Sequence, residues 1–272
     1  METSSSEGEA LKVAALLYHD VVEEGRYETS GFQGAGPDRY KLEAAEFDEH
    51  LSVLAEHIGH PPAAVEELGR EDSRLPWLLT FDDGGASALR IGEALAERGW
   101  CGHFFVTANF IGANGFVSAL DIRSLDGMGH VIGSHSCSHP ARIARCSWAQ
   151  LQDEWGRSTS VLGDILGHPV ALASIPGGDY GKTVARAAAT AGIRQLFTSE
   201  PVLTVRDVDG CAVFGRFAIV RHVPARRAAA FAAGRMAPRL RQFATWQTKK
   251  AVKSVGGDRY LKLRCFLLDR FR

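Results

Sequence analysis

The sequence predicts an α/β fold built from parallel strands joined by helices, and two observations carry that reading. Short runs rich in β-branched and aromatic residues recur along the chain, and most are separated by segments whose apolar residues fall at helical spacing. Strand alternating with helix needs a crossover at each step, and crossovers leave neighbouring strands parallel. Seven such runs predict an incomplete, distorted barrel of about seven βα units. A doubly wound open sheet is the alternative, because periodicity does not say whether a sheet closes.

The elements follow in order. Val13–Tyr18 is the first strand. The stretch from Val21 to Phe47 carries Gly25, Gly31, Gly34 and the turn Gly36-Pro37, and is expected as a long surface loop. Phe47, Leu51, Leu54 and Ile58 repeat as one helix face, and Trp77–Phe81 is the second strand. Leu89 and Leu95 mark the next helix, ahead of His103–Val106 and Val131–Gly133. Trp148, Leu151, Trp155, Val161, Leu162 and Ile165 form a long apolar stripe before Val170–Ser174. A helix beginning near Lys182 leads to Gln195–Thr198, and Arg216–Val220 closes the series. Past Val223 the strand signal stops. Helical runs are expected over Ala225–Met236, Pro238–Val255 and Tyr260–Phe271, broken at Pro238 and Gly256-Gly257. This divides the chain into a barrel domain, 1–222, and a basic helical extension, 223–272.

Composition narrows the class. Of 272 residues 45% are hydrophobic and 23% charged, with 31 Lys/Arg against 32 Asp/Glu, which excludes disordered, collagenous and membrane-spanning chains. Cys101, Cys137, Cys146, Cys211 and Cys265 are odd in number and show no CxxC spacing, so neither a disulfide framework nor an all-cysteine zinc site is expected. The opening METSSSEGEALKVAALLYHD places acidic rather than basic residues before a short apolar run, which predicts no cleavable secretion signal and a cytoplasmic protein. Charge is unevenly spread. From Arg221 to the end, 14 Lys/Arg face Asp258 and Asp269, leaving +12 there and −13 on the rest.

Three strand ends carry chemistry. Leu78-Leu79-Thr80-Phe81-Asp82-Asp83-Gly84-Gly85 runs from an apolar strand into paired carboxylates, at the C-terminal edge where α/β folds build their sites. Capping aspartates for the following helix are the plainer alternative. Val131-Ile132-Gly133-Ser134-His135-Ser136-Cys137-Ser138-His139 ends in two imidazoles that converge on one ion if the segment takes a helical turn. With one carboxylate they supply the three protein ligands of a catalytic zinc, a fourth position being left for water. Leu172-Ala173-Ser174-Ile175-Pro176-Gly177-Gly178-Asp179-Tyr180 ends another strand in a glycine turn whose N–H groups can face an oxyanion. His222 closes the last strand as a candidate general acid. His19 ends the first strand and can line the same edge, with a structural role as the alternative. His50, His57, His60, His103, His130 and His168 have no distinguishing arrangement.

Thr80-Phe81-Asp82-Asp83-Gly84 and His135-Ser136-Cys137-Ser138-His139 resemble TFDDG and H[ST]xxH, the first two signatures of polysaccharide deacetylases with the NodB-homology domain, carbohydrate esterase family four. The resemblance runs from about Val13 to His222 and implies a distorted (β/α)7 barrel. It implies Asp82 as catalytic base, and Asp83, His135 and His139 as ligands of a divalent metal, Zn2+ with Co2+ or Ni2+ as alternatives. The implied reaction removes N-acetyl groups from amino sugars of a poly- or oligosaccharide, Asp82 acting on water at the metal, with Gly177 and Tyr180 near substrate and oxyanion. O-acetyl ester or small-amide hydrolysis in the same site is the alternative, as is a catalytically weak carbohydrate-binding protein.

The family's third motif, RxPxG, stands here as Ser174-Ile175-Pro176-Gly177-Gly178 without its arginine, so Arg216 or Arg221 is expected to orient the base. The fourth motif has no clear match in Phe197-Thr198-Ser199-Glu200-Pro201, and the fifth, LxH, is met loosely by Val220-Arg221-His222. In the tail, Lys249, Lys250, Lys253, Arg259, Lys262 and Arg264 interleave with Trp246, Tyr260, Leu261, Leu263 and Phe266, which fits docking on an anionic membrane at the cytoplasmic face. Packing of those apolar residues on the barrel is the alternative, and no nucleic-acid motif is present.

Overall fold

The computed structural model describes residues 10–69 and 74–247. Its strands are β1 (Ala14–Tyr18), β2 (Val21–Val22), β3 (Leu42–Glu43), β4 (Trp77–Phe81), β5 (Gly102–Val106), β6 (Val131–Ser134), β7 (Leu172–Ser174), β8 (Gln195–Phe197), β9 (Arg206–Val208), β10 (Cys211–Phe214) and β11 (Arg216–Ala218). Its helices are α1 (Ala44–Ile58), α2 (Ala88–Ala96), α3 (Ala119–Gly127), α4 (Trp148–Leu166), α5 (Lys182–Thr190) and α6 (Ala225–Ala232), followed by a helical run over 236–247. Each of the seven expected strand runs is a strand of the main sheet.

That sheet has the order β11-β1-β4-β5-β6-β7-β8-β10-β9. Every pairing is parallel except the β9–β10 hairpin. Its two ends are drawn together beyond the regular ladder: Val13 N–H donates to Leu203 O and Val205 N–H to Leu11 O, both at 2.9 Å. Strands buried on both faces read as continuous apolar runs, which is why Trp77–Phe81 is buried at every position.

Side chains alternate across the sheet. Ala15, Leu78, Phe105, Leu172, Phe197 and Phe214 form one cluster inside the curve of the sheet, whereas Ala14, Leu16, Leu79, Phe81, Phe104 and Phe217 pack outward under the helices. Phe47, Leu51 and Leu54 bury one face of α1 against that outer layer, and Gly59 ends the helix in a left-handed turn at φ 73°. Ser118 and Ser147 start α3 and α4 with reciprocal capping boxes to Asp121 and Gln150.

The structure corrects the sequence reading in four places. The Val21–Phe47 stretch is ordered: β2 pairs with β3, α1 begins inside it at Ala44, and Asp20, Ser30 and Lys41 at its ends and middle are buried. Nothing in the sequence predicts the β9–β10 hairpin, since Arg206–Val208 is a largely exposed edge strand that carries Arg206 and Asp207 rather than an apolar run. The tail breaks at Gly234, which adopts φ 66°, rather than at Pro238. Pro238 falls in the first turn of the 236–247 helix, where a missing N–H removes no helical bond. The boundary at 222 cuts a packed unit, because Ala228, Ala229, Phe231 and Ala232 of α6 belong to the outer core and Phe231 stacks on Phe217 at 5.1 Å. Gly256-Gly257 and the Tyr260–Phe271 run lie outside the described residues.

Among the described residues no helix is long and apolar enough to cross a membrane. Cys101, Cys137, Cys146 and Cys211 are free thiols.

Candidate active site

Alternation along β4 puts Leu78, Thr80 and then Asp82 on the inward face. Asp82 is 5% exposed, and its N–H donates to Tyr18 O at 3.1 Å, so the β4 ladder continues one residue past the strand. Asp83 then turns into the left-handed region at φ 76°, and Gly84 follows at φ 75°. This kink brings the second carboxylate, which strict alternation would send outward, to the same edge. Gly85 is fixed by space: a Cβ there would collide with the Asp20 carboxylate and the Ser30 hydroxyl. Neither aspartate caps α2, whose N-terminal flanking residue is Ser87.

His135 follows β6 and is 1% exposed. His139 converges with it through a tight loop, not the helical turn expected from the spacing. Ser136 and His139 take φ 66° and 56°, and His139 N–H donates to Ser136 Oγ at 3.0 Å. Glu154 of α4 fastens this loop by accepting from Cys137 N–H (2.9 Å), Ser138 N–H (2.8 Å) and Ser138 Oγ (2.5 Å). Local hydrogen bonding to serine and glutamate thus outcompetes the helical alternative.

Asp83 Oδ1 lies 3.3 Å from His135 Nε2 and 3.6 Å from His139 Nε2. The three ligand atoms fall within 4.8 Å of one another. One carboxylate oxygen and two imidazole nitrogens, with Asp83 and His135 buried and His139 half-buried, could hold a divalent cation such as zinc. Burial would push the Asp83 carboxyl up, but contact with His135 and the nearby imidazoles of His19 and His139 hold it below the ordinary carboxylate value. Burial, with His135 beside it, pushes His139 down to about 4, so this ring is neutral near neutral pH.

Asp82 stands next to this triad and is clamped from across the sheet. Arg216 Nη1 donates to Asp82 Oδ1 at 2.6 Å and Nη2 to Oδ2 at 2.8 Å. The same guanidinium donates to Thr80 Oγ1 (3.2 Å) and, through Nε, to Thr198 O (2.9 Å), and it lies over the rings of Phe105 and Phe197. Burial alone would raise the Asp82 carboxyl, but the charge of Arg216, with His135 and His19 behind it, holds it below its ordinary value. Ser174 Oγ adds a third donor to Asp82 Oδ1, at 3.0 Å.

Residues 69–196 match the family model described as Polysaccharide deacetylase. That match marks the stretch, a little under half of the chain, as similar to polysaccharide deacetylases. That similarity supports a hydrolase that deacetylates carbohydrates. Solved structures share the fold of this chain. Streptococcus pyogenes deacetylase PplD, in complex with acetate, has a TM-score of 0.66 at 17% identity, over 80% of this chain and 96% of that one. A polysaccharide deacetylase from Bacillus cereus gives 0.69 at 18%, over 82% and 69%. IcaB from Ammonifex degensii gives 0.66 at 22%, over 82% and 97%. No curated protein matches.

The remaining sequence candidates fall at different distances from this centre. Gly177, at φ 60°, sits in the turn that follows Ser174. Tyr180 packs toward β9, under the Arg206 guanidinium at 5.6 Å. Arg221 lies 4.2 Å over the Tyr27 ring and pins the ordered 21–43 segment rather than Asp82. His222, at φ 66°, donates its N–H to Glu46 Oε1 of α1 at 2.5 Å and lines a cleft with Glu43, Glu49 and His50. His19 is nearer to Asp82 and Asp83, on which its charge acts. Its ring stacks on Tyr40 at 4.6 Å, and its buried Nδ1 has no hydrogen-bond partner among the described residues. Sequence reasoning gave no role to Ser174 or Glu154. The parity of Ser174 with inward Leu172 signals the first; nothing local signals a glutamate on a helix 17 residues away.

Proposed function

We propose that this chain is a metal-dependent N-deacetylase acting on amino sugars of a poly- or oligosaccharide. The observation that carries the reading is the Asp83, His135 and His139 ligand set beside an Asp82 carboxylate held by Arg216. A bound divalent ion, zinc on this donor set, would polarise the acetyl carbonyl and lower the pKa of a water. Asp82 supplies the base. Its Oδ2 accepts from Arg216 Nη2 and lies 4.0 Å from His135 Nε2, so this oxygen faces the ligand set and takes the proton. Arg216 keeps Asp82 ionised and fixes its plane. His19, with an unpartnered ring nitrogen at the same edge, fits the acid that protonates the departing amine better than His222 does.

Acetate release from N-acetylated glucosamine oligomers, measured with metal content on wild type and Asp82→Asn, tests this reading. Zinc retained with release abolished supports it; equal release by both proteins overturns the base assignment. O-acetylated sugars in the same panel separate amide from ester hydrolysis.

The basic tail is read as docking on an anionic membrane surface at the cytoplasmic face. Met236 (70% exposed) and Leu240 (60% exposed) lie one turn apart on the 236–247 helix, beside Arg235 and Arg241. Residues 248–272 carry eight Lys/Arg against two Asp, so like charge opposes their folding back on this face, while anionic lipid complements both. Co-sedimentation with phosphatidylglycerol vesicles should be salt-sensitive, absent with pure phosphatidylcholine, and lost in Met236→Asp/Leu240→Asp. Unchanged binding by that variant, or no binding by wild type, overturns it.

A further inference from the structure

Ser174 ends β7 with its side chain on the inward face, and the residue is fully buried. Its hydroxyl touches two members of the site at once: Oγ is 3.0 Å from Asp82 Oδ1 and 2.5 Å from His135 Nδ1. A hydroxyl has one proton to give. Asp82, forked by Arg216 on both oxygens, is an ionised acceptor, so the Ser174 proton goes to Asp82. The nitrogen of His135 that faces Ser174 must then be the donor. That fixes Nδ1–H on the ring and leaves Nε2 as a bare lone pair, 3.3 Å from Asp83 Oδ1.

We infer that Ser174 is the positioning residue of this site, holding His135 in the tautomer that presents Nε2 as a ligand and tying that ring to the base Asp82. The inference rests on the proposed metal site. It also accounts for what this chain does at the third motif, where serine stands in place of arginine. Arg216 reaches Asp82 from β11 through a neck lined by Phe105 and Phe197. A second guanidinium from position 174 would be buried against the first. With the charge supplied from β11, the β7 position is released for a group that both accepts and donates, which arginine cannot do. Partners that orient a metal-binding histidine are worth about 10–100-fold in metal affinity.

The test uses the full chain, with zinc as the probe in chelator competition and Co2+ absorption as a report on ligand geometry. Ser174→Ala should lower zinc affinity about 10–100-fold and change the Co2+ bands. Ser174→Thr, which keeps the hydroxyl, should return affinity to within about threefold of wild type. Ring 15N shifts of His135 in zinc-free protein should show the Nδ1–H tautomer in wild type and its loss in Ser174→Ala. Equal zinc affinity for wild type and Ser174→Ala overturns the role of Ser174 and leaves the metal site standing. An Nε2–H tautomer in the zinc-free wild type overturns it independently of any metal. Failure of wild type to bind zinc or cobalt overturns the metal site, and this inference with it.

Discussion

Arg216 meets Asp82 as a two-pronged fork although the two residues enter the sheet at different levels. Arg216 and Leu78 both pair with Ala15 of β1, so the guanidinium rises past Thr80 to reach a carboxylate four residues beyond Leu78. The stagger of neighbouring strands in a curved sheet makes this reach possible. Both groups are buried, so each relies on the other for its desolvation cost.

Arg216→Met should therefore destabilise the protein by about 3–5 kcal/mol, because it strands a buried carboxylate. Arg216→Lys keeps the charge and loses the fork, and should fold better than Arg216→Met while turning over substrate far more slowly than wild type. Urea unfolding and acetate release measure the two effects separately.

His135→Ala and Asp82→Asn should part company. Removing the ligand should abolish both zinc uptake and turnover, whereas the amide at position 82 should abolish turnover alone. Metal analysis of the purified variants reads this directly, and zinc retained at full stoichiometry in His135→Ala would contradict the ligand set.

Glu154→Ala should weaken zinc binding without removing a ligand. The carboxylate holds the N–H groups of Cys137 and Ser138, and its loss frees the loop that aims His139. A cost of about 1–3 kcal/mol in stability is expected from the lost charge-assisted bonds. Chelator competition and thermal unfolding check it.

Acid should destabilise the fold through two buried histidines. His103 accepts from Val65 N–H through Nε2 and donates Nδ1–H to Leu79 O; His130 does the same between Gly102 N–H and Gly92 O. Burial pushes His103 down to about 4 and lowers His130. The unfolded chain takes protons below about pH 6.5 that the folded state refuses, so stability falls as pH drops from there toward 4. His103 alone accounts for a loss on the order of 3 kcal/mol over that window. Urea midpoints of metal-free protein across pH 4–7 should show it, and His103→Asn should flatten the slope.

How much was legible in the sequence follows from the range of each interaction. Trp77–Phe81 and the Phe47, Leu51, Leu54 face were readable because strand and helix periodicity is written in neighbouring residues. Asp82-Asp83-Gly84 and His135 to His139 were readable as strand ends running into polar groups. The path from His135 to His139 was not, since Glu154, on a separate helix, decides it. Nor was the choice between Arg216 and Arg221, five residues apart in one segment: one rises through the inside of the sheet to Asp82, and the other stacks on Tyr27.

The sequence by itself determined the alternation of strands and helices and the strand ends where chemistry collects, and its motifs nominate a base and ligands by resemblance. Only the tertiary structure decided which arginine serves Asp82, that Ser174 bridges Asp82 and His135, and that His19 rather than His222 stands at the site. Periodicity fixes which face a residue takes, but the level it occupies on that face depends on strand register, and register is set by partners far away in the chain.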